Sequence, residues 1–127
     1  MPFRGKLLAA GNAPENARQI SGTGKTALVA VGSNQSGALQ LADTYNTITT
    51  SSASTGVKLP PAEEGNLIFI YNLSGQTLTI YTNETTGVTM NNAVAGSTGV
   101  SLGNTKTAIC FCPSYNTWAV TCALTST

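Results

Sequence analysis

The chain reads as an all-β protein, a single β-sandwich of jelly-roll-like type carrying an extended N-terminal arm, and three observations lead there. Only 9% of its 127 residues are charged while 41% are apolar. Much of the remainder is Thr, Ser, Asn and Gly, the make-up of strands joined by tight turns. Short runs with strand-like alternation recur along the chain, each bounded by Gly, Ser, Asn or Pro, and no run carries helical periodicity for more than a turn. A chain of this length buries roughly two-thirds of its unfolded surface, so one core suffices without metal or disulfide support.

Taken in order, residues 1–24 have no sustained period and read as the arm. Asn12-Ala-Pro-Glu-Asn-Ala-Arg18 offers at most one capped helical turn. Residues 25–127 form the sandwich domain. Lys25-Thr-Ala-Leu-Val-Ala-Val31, Ala38-Leu-Gln-Leu41 and Tyr45-Asn-Thr-Ile-Thr49 read as successive strands, and Thr50-Ser-Ser-Ala-Ser-Thr-Gly56 as a polar loop. Leu59-Pro-Pro-Ala-Glu-Glu-Gly65 is a proline-started turn that delivers the chain into its strongest strand, Leu67 to Tyr71. That strand is expected to form a hairpin with Thr77–Tyr81 through a turn at Leu73-Ser74-Gly75.

In the strand, Ile68 and Ile70 share one face and Leu67, Phe69 and Tyr71 the other. Both faces are apolar, so cover is expected on both sides, the outer one by a second subunit. In the partner, Leu78 and Ile80 face the core. Val88-Thr-Met90, Val100-Ser-Leu102 and Thr107-Ala-Ile-Cys-Phe-Cys112 supply further strands. Thr117-Trp-Ala-Val-Thr121 closes the sheet as a hairpin across Pro113-Ser-Tyr-Asn116.

Charge is small in total and uneven in placement. Arg4, Lys6, Arg18 and Lys25 against Glu15 make residues 1–25 net +3; Lys58 and Lys106 against Asp43, Glu63, Glu64 and Glu84 make the rest −2, which together give +1. Four cations spread over that length fall short of a nucleic-acid footprint. Leu7-Leu8-Ala9-Ala10 is shorter than the roughly 7–15 residues of a signal-peptide core, and no run approaches the roughly 20 apolar residues of a membrane span. A cytoplasmic folding compartment is expected, in keeping with three cysteines in strand-like sequence.

The motifs that suggest chemistry have simpler readings. Gly22-Thr-Gly-Lys-Thr26 resembles the end of a phosphate-binding loop, but that pattern needs glycine at position 19, which is Gln19, and a helix where the sequence runs into a strand. Cys110 and Cys112 share a strand face with Cys122 near them across the hairpin. With no histidine to complete a tetrahedral set, packed thiols are favoured over a metal or redox site. The same lack of histidine removes imidazole-activated nucleophiles, and the carboxylates show no paired spacing, so no catalytic residue, cofactor or metal is expected. The sequons at Asn34, Asn72 and Asn83 read as turn chemistry. Tyr81, Tyr115 and Trp118 are candidates for a glycan-binding face or a subunit interface.

The second half also resembles a known kind of domain. Thr55-Gly-Val-Lys-Leu-Pro-Pro61, Gly65 through Tyr81, Gly87-Val-Thr-Met-Asn91, Val100-Ser-Leu102, Lys106 through Cys112 and Asn116-Thr-Trp-Ala-Val120 together look like a small β-domain of tailed-bacteriophage virion structural proteins, of the capsid decoration (cement) or head-fibre type. The resemblance implies a homotrimer on the outer capsid surface, assembled in the host cytoplasm, with the major capsid protein as partner and no nucleic acid, membrane or small-molecule substrate. It implies a receptor- or glycan-binding module of a head or tail fibre as the alternative. In the capsid setting an arm of this length reaches roughly 65 Å along the shell. Phe3, Leu7 and Leu8 would then be apolar anchors, and Arg4, Lys6 and Arg18 would pair with acidic groups.

Overall fold

The computed structural model of the chain describes residues 22–92 and 94–125, without the side chains of 123–125. Among the described residues the strands are β1 Gly24–Val29, β2 Leu39–Gln40, β3 Tyr45–Thr50, β4 Gly56–Lys58, β5 Leu67–Asn72, β6 Leu78–Tyr81, β7 Thr89–Met90, β8 Val94–Ala95, β9 Val100–Leu102, β10 Lys106–Ser114 and β11 Thr117–Thr125. The helical element among the described residues is a 3-10 turn over Gln35–Gly37, capped by the Asn34 carboxamide. The protein is all-β. Its strands make a seven-stranded sheet, β1-β3-β5-β10-β11-β7-β8, and a four-stranded sheet, β2-β4-β6-β9.

The connectivity departs from a jelly roll, which is built from antiparallel strands. From β1 to β6 the chain alternates between the sheets, so β1, β3 and β5 are mutually parallel in one sheet and β2, β4 and β6 in the other. A parallel pair needs a crossover, and here the crossover is a strand of the opposite sheet. The result is three stacked rungs of two strands each. Equivalent backbone bonds recur between rungs: Tyr45 N–H to Thr23 C=O at 2.9 Å and Phe69 N–H to Thr44 C=O at 2.7 Å at one edge, Leu41 N–H to Lys58 C=O and Leu59 N–H to Tyr81 C=O, both 2.9 Å, at the other.

The expected hairpin of residues 67–71 with 77–81 is therefore a corner between two sheets. Its turn does lie at residues 73–75, held by Asn72, whose Oδ1 accepts from Ser74 N–H at 3.0 Å and whose Nδ2 donates to Gln76 C=O at 2.7 Å and Leu102 C=O at 3.1 Å. The physical reason is burial. Ile68 and Ile70 on β5 and Leu78 and Ile80 on β6 enter the same core from opposite sides, which side-by-side pairing would prevent. Ile48, Val57, Leu59, Met90, Leu102 and Trp118 complete that core, each fully buried.

The last strands return antiparallel and close one end of the stack. β9 lies against β6, β10 against β5, and β10 and β11 form the expected hairpin. At the opposite corner Gly32 has φ +75°, and a Cβ there would lie 2.2 Å from the Gly37 carbonyl carbon, so this turn admits only glycine.

Candidate interaction surface

Because side chains alternate across a strand, the central strands of the seven-stranded sheet send one set inward and one outward. Inward go Ile68, Ile70, Ala108, Cys110, Trp118 and Val120, all buried. Outward, the register sets Tyr45 beside Phe69 and Phe69 beside Ile109, with Leu67 beside Phe111 and Phe111 beside Ala119 in the next row. The Tyr45 and Phe69 rings stack at 5.2 Å and 12°. Leu67, Ile109 and Phe111 are 38–45% exposed. Among the described residues the outer face of β5 and β10 is thus an apolar strip without cover, where the sequence led us to expect cover on both sides. Runs of large aliphatic and aromatic residues on a free sheet face are the usual mark of an interaction surface.

The three aromatics expected at a glycan face or interface lie in different environments. Trp118 is fully buried between the sheets, so it serves the core. Tyr81 is also buried: its ring lies over β4 and β9, where a Cβ on Gly56 would approach it to 2.7 Å and one on Gly99 to 3.0 Å. Those two glycines make the bed for the ring, a signal present in the sequence but without meaning until β4 and β9 are known to flank β6. Tyr115, at the β10–β11 turn, is 70% exposed and stands apart from the other two. The residues expected to contact a shell, Phe3, Arg4, Lys6, Leu7, Leu8 and Arg18, lie outside the described residues.

A second feature is a cavity of about 290 Å³ between β1 and β2, lined mainly by Lys25, Leu28, Leu39, Leu41, Asp43 and Asn46. Asn46 is buried; its Nδ2 donates to Asp43 C=O at 2.8 Å and Phe69 C=O at 3.2 Å, while its Oδ1 has no hydrogen-bond partner. Glu84 leaves Oε1 without a partner, while its Oε2 accepts from Ala62 N–H at 3.0 Å. Among the described residues no three His, Cys, Asp or Glu side chains gather as a metal site.

Lys25 and Thr26, which ended the phosphate-loop-like string, lie in β1 rather than at a helix start. The three cysteines are free thiols. Cys110 pairs with Val120, because a register shift in the hairpin moves Cys122 away from the position opposite it. Burial raises all three thiols above their ordinary value of 9.0, and for Cys110 proximity to Cys122 adds to the rise. They are packed, protonated groups at neutral pH. Comparison of the chain with protein-family models, with curated proteins and with solved structures finds no match.

Proposed function

We propose that the chain is a virion structural protein of a tailed bacteriophage, a non-catalytic decoration protein that binds the outer capsid as a homotrimer and stabilises it. The observation that carries this reading is the apolar strip formed by Tyr45, Leu67, Phe69, Ile109 and Phe111 on a rigid two-sheet domain. A cement protein needs a firm knob, a surface for its own copies and many weak contacts to the shell; linked contacts of that kind gain avidity beyond any single one. The sequence pattern of residues 55–120 supports the phage setting. The strip supports self-association, since a stable interface takes about 800 Å² from each partner and centres on large apolar side chains.

Two measurements test the proposal. Light scattering coupled to size-exclusion chromatography should give a mass of three chains, falling to one in Phe111→Asp with the β-rich circular dichroism spectrum retained. Mass spectrometry of gradient-purified virions from the source should find the chain at a stoichiometry that matches capsomers. A monomeric wild type removes the trimer, and absence from virions removes the decoration role. The fibre-type glycan reading retains Tyr115 alone as an exposed aromatic of the three, and it gains if glycan-array binding appears and is lost in Tyr115→Ala.

A further inference from the structure

Both sheets end on the same rung. β1 closes one edge of the seven-stranded sheet and β2 one edge of the four-stranded sheet, so the stack of rungs is open at that end among the described residues. Among the described residues the core reaches this opening without a cover: Leu28 and Leu39 pack against it but are only partly buried, and both line the cavity between the strands. A free pair of parallel edges over an unfinished core is a place where backbone groups and apolar side chains both want a neighbour.

We propose that residues 1–21 supply that neighbour as one more rung, lying parallel along β1 and β2 and closing the cavity. From rung to rung the offset runs between 18 and 24 residues, and at β1, apart from a slip to 20 at Leu28, it is 21: Gly24 faces Tyr45, Lys25 faces Asn46 and Val29 faces Thr50. The same offset carried upstream sets Leu7-Leu-Ala-Ala-Gly11 against Leu28-Val-Ala-Val-Gly32, and Ala17-Arg-Gln-Ile20 against Ala38-Leu-Gln-Leu41.

The matches fall where the structure constrains the side chain. Ala9 and Ala17 take the places of Ala30 and Ala38, which are both buried, and Ile20 takes that of buried Leu41. Gly11 takes the place of Gly32, the corner that excludes any Cβ. The chain also arrives at the right point: Gly22 packs on Thr44 and Tyr45, at the edge where each described rung begins, so the residues before it re-enter along the free side of β1.

The departures fit a terminal rung. Gln35, whose Nε2 donates to Thr82 C=O at 2.7 Å and Glu84 C=O at 2.6 Å, has Pro14 as its counterpart, so the added rung leaves out that anchor. Arg18 replaces partly buried Leu39, a position where a long methylene stem covers apolar surface while the charged head reaches water at the open end. Arg4 and Lys6 correspond to Lys25 and Ala27, both exposed, so they stay available to a shell and blunt the outermost edge against pairing with other chains. Leu7, by contrast, is withdrawn into the core.

Amide hydrogen exchange of the full chain, followed by nuclear magnetic resonance, tests this. Those amides of Gly24–Val29 and Leu39–Gln40 that do not bond β3 or β4 should exchange at least tenfold more slowly in the full chain than in Leu7→Asp, with Arg4→Ala as the silent control. Exchange at unprotected rates in the full chain, or no change in Leu7→Asp, overturns the proposal. Because Leu7→Asp risks global unfolding, a crosslink gives an independent reading. Leu8→Cys with Val29→Cys places two thiols on neighbouring parallel strands, within the range of Cα separations a disulfide spans. Mild oxidation with oxidised glutathione should join them within one chain with loss of two hydrogens. Linkage solely between chains, or none, overturns the assignment to the chain's own segment.

Discussion

The two ends of the stack of rungs are finished in opposite ways. Beyond β5 and β6 the chain folds back, and β9, β10 and β11 cover both sheets with antiparallel strands, two of them nine residues long. Beyond β1 and β2 the described chain offers two unpaired parallel edges. At the closed end β10 and β11 are adjacent in sequence and joined by a two-residue turn at Tyr115–Asn116, and this hairpin is laid antiparallel on β5, a strand far back in the chain. At the open end each strand's neighbour lies about 20 residues away, and every pairing depends on the rung between. The comparison teaches that a hairpin carries its own instructions, whereas a parallel rung is specified only by what it is stacked on.

The largest break is expected at the closed end. Trp118→Ala empties the most voluminous fully buried site, between the sheets, and should cost about 3–5 kcal/mol, seen as loss of the cooperative denaturant transition or a large fall in its midpoint. At the open end Gly32→Ala should cost about 1–3 kcal/mol from the left-handed backbone alone, with the contact to Gly37 adding to it. If that variant leaves the midpoint unchanged, the first rung contributes little to the cooperative unit.

Asn91 sharpens the closed end further. It follows the short strand β7 and extends the ladder with its side chain, Nδ2 donating to Val120 C=O at 3.1 Å and Oδ1 accepting from Val120 N–H at 2.8 Å. Asn91→Ala should cost roughly 1–2 kcal/mol. Asn91→Gly, which relieves the backbone at φ +54° but also lacks the carboxamide, should recover only part of it in equilibrium denaturation.

The smallest effect is a pH dependence that belongs to the closed end alone, where the thiols sit. A thiol whose folded value is raised keeps its proton when the unfolded chain loses it. Its stabilisation is therefore complete below 9.0, the ordinary value, and declines as pH rises above it. The loss should be below about 1 kcal/mol per thiol roughly half a pH unit above that value. Melting temperatures of wild type and Cys110→Ala, compared at pH 7 and pH 9.5, should converge as pH rises; parallel profiles would exclude the thiol as the cause.

How far the sequence speaks depends on the region. The β10–β11 hairpin was legible because Pro113-Ser-Tyr-Asn116 is turn chemistry between alternating runs, and the apolar outer face of β5 was legible from the period-2 pattern of residues 67–71. Two sequence signals pointed the wrong way. Leu73-Ser74-Gly75 between two strand-like runs looks like a hairpin, but a corner between sheets uses the same residues, and local sequence does not say on which side of the core the second strand lands. Trp118 and Tyr81 looked like surface candidates because an aromatic residue near a turn has the same appearance whether it serves core or partner. Their burial depends on the opposing sheet in one case and on Gly56 and Gly99 across neighbouring strands in the other.

The sequence by itself determined the all-β class, the places of most strands and turns, the inward and outward sets on each strand, and the scarcity of groups for chemistry. These are local properties, set by side-chain alternation, turn residues and composition within a few positions. Only the tertiary structure decided which strands are neighbours, that β1 to β6 stack in parallel, and where the core is left open. Strand partnership is a choice among surfaces of similar pattern, settled by the free energy of burying Ile48, Ile70, Leu78, Ile80 and Trp118 together, and no short stretch of the chain contains that sum.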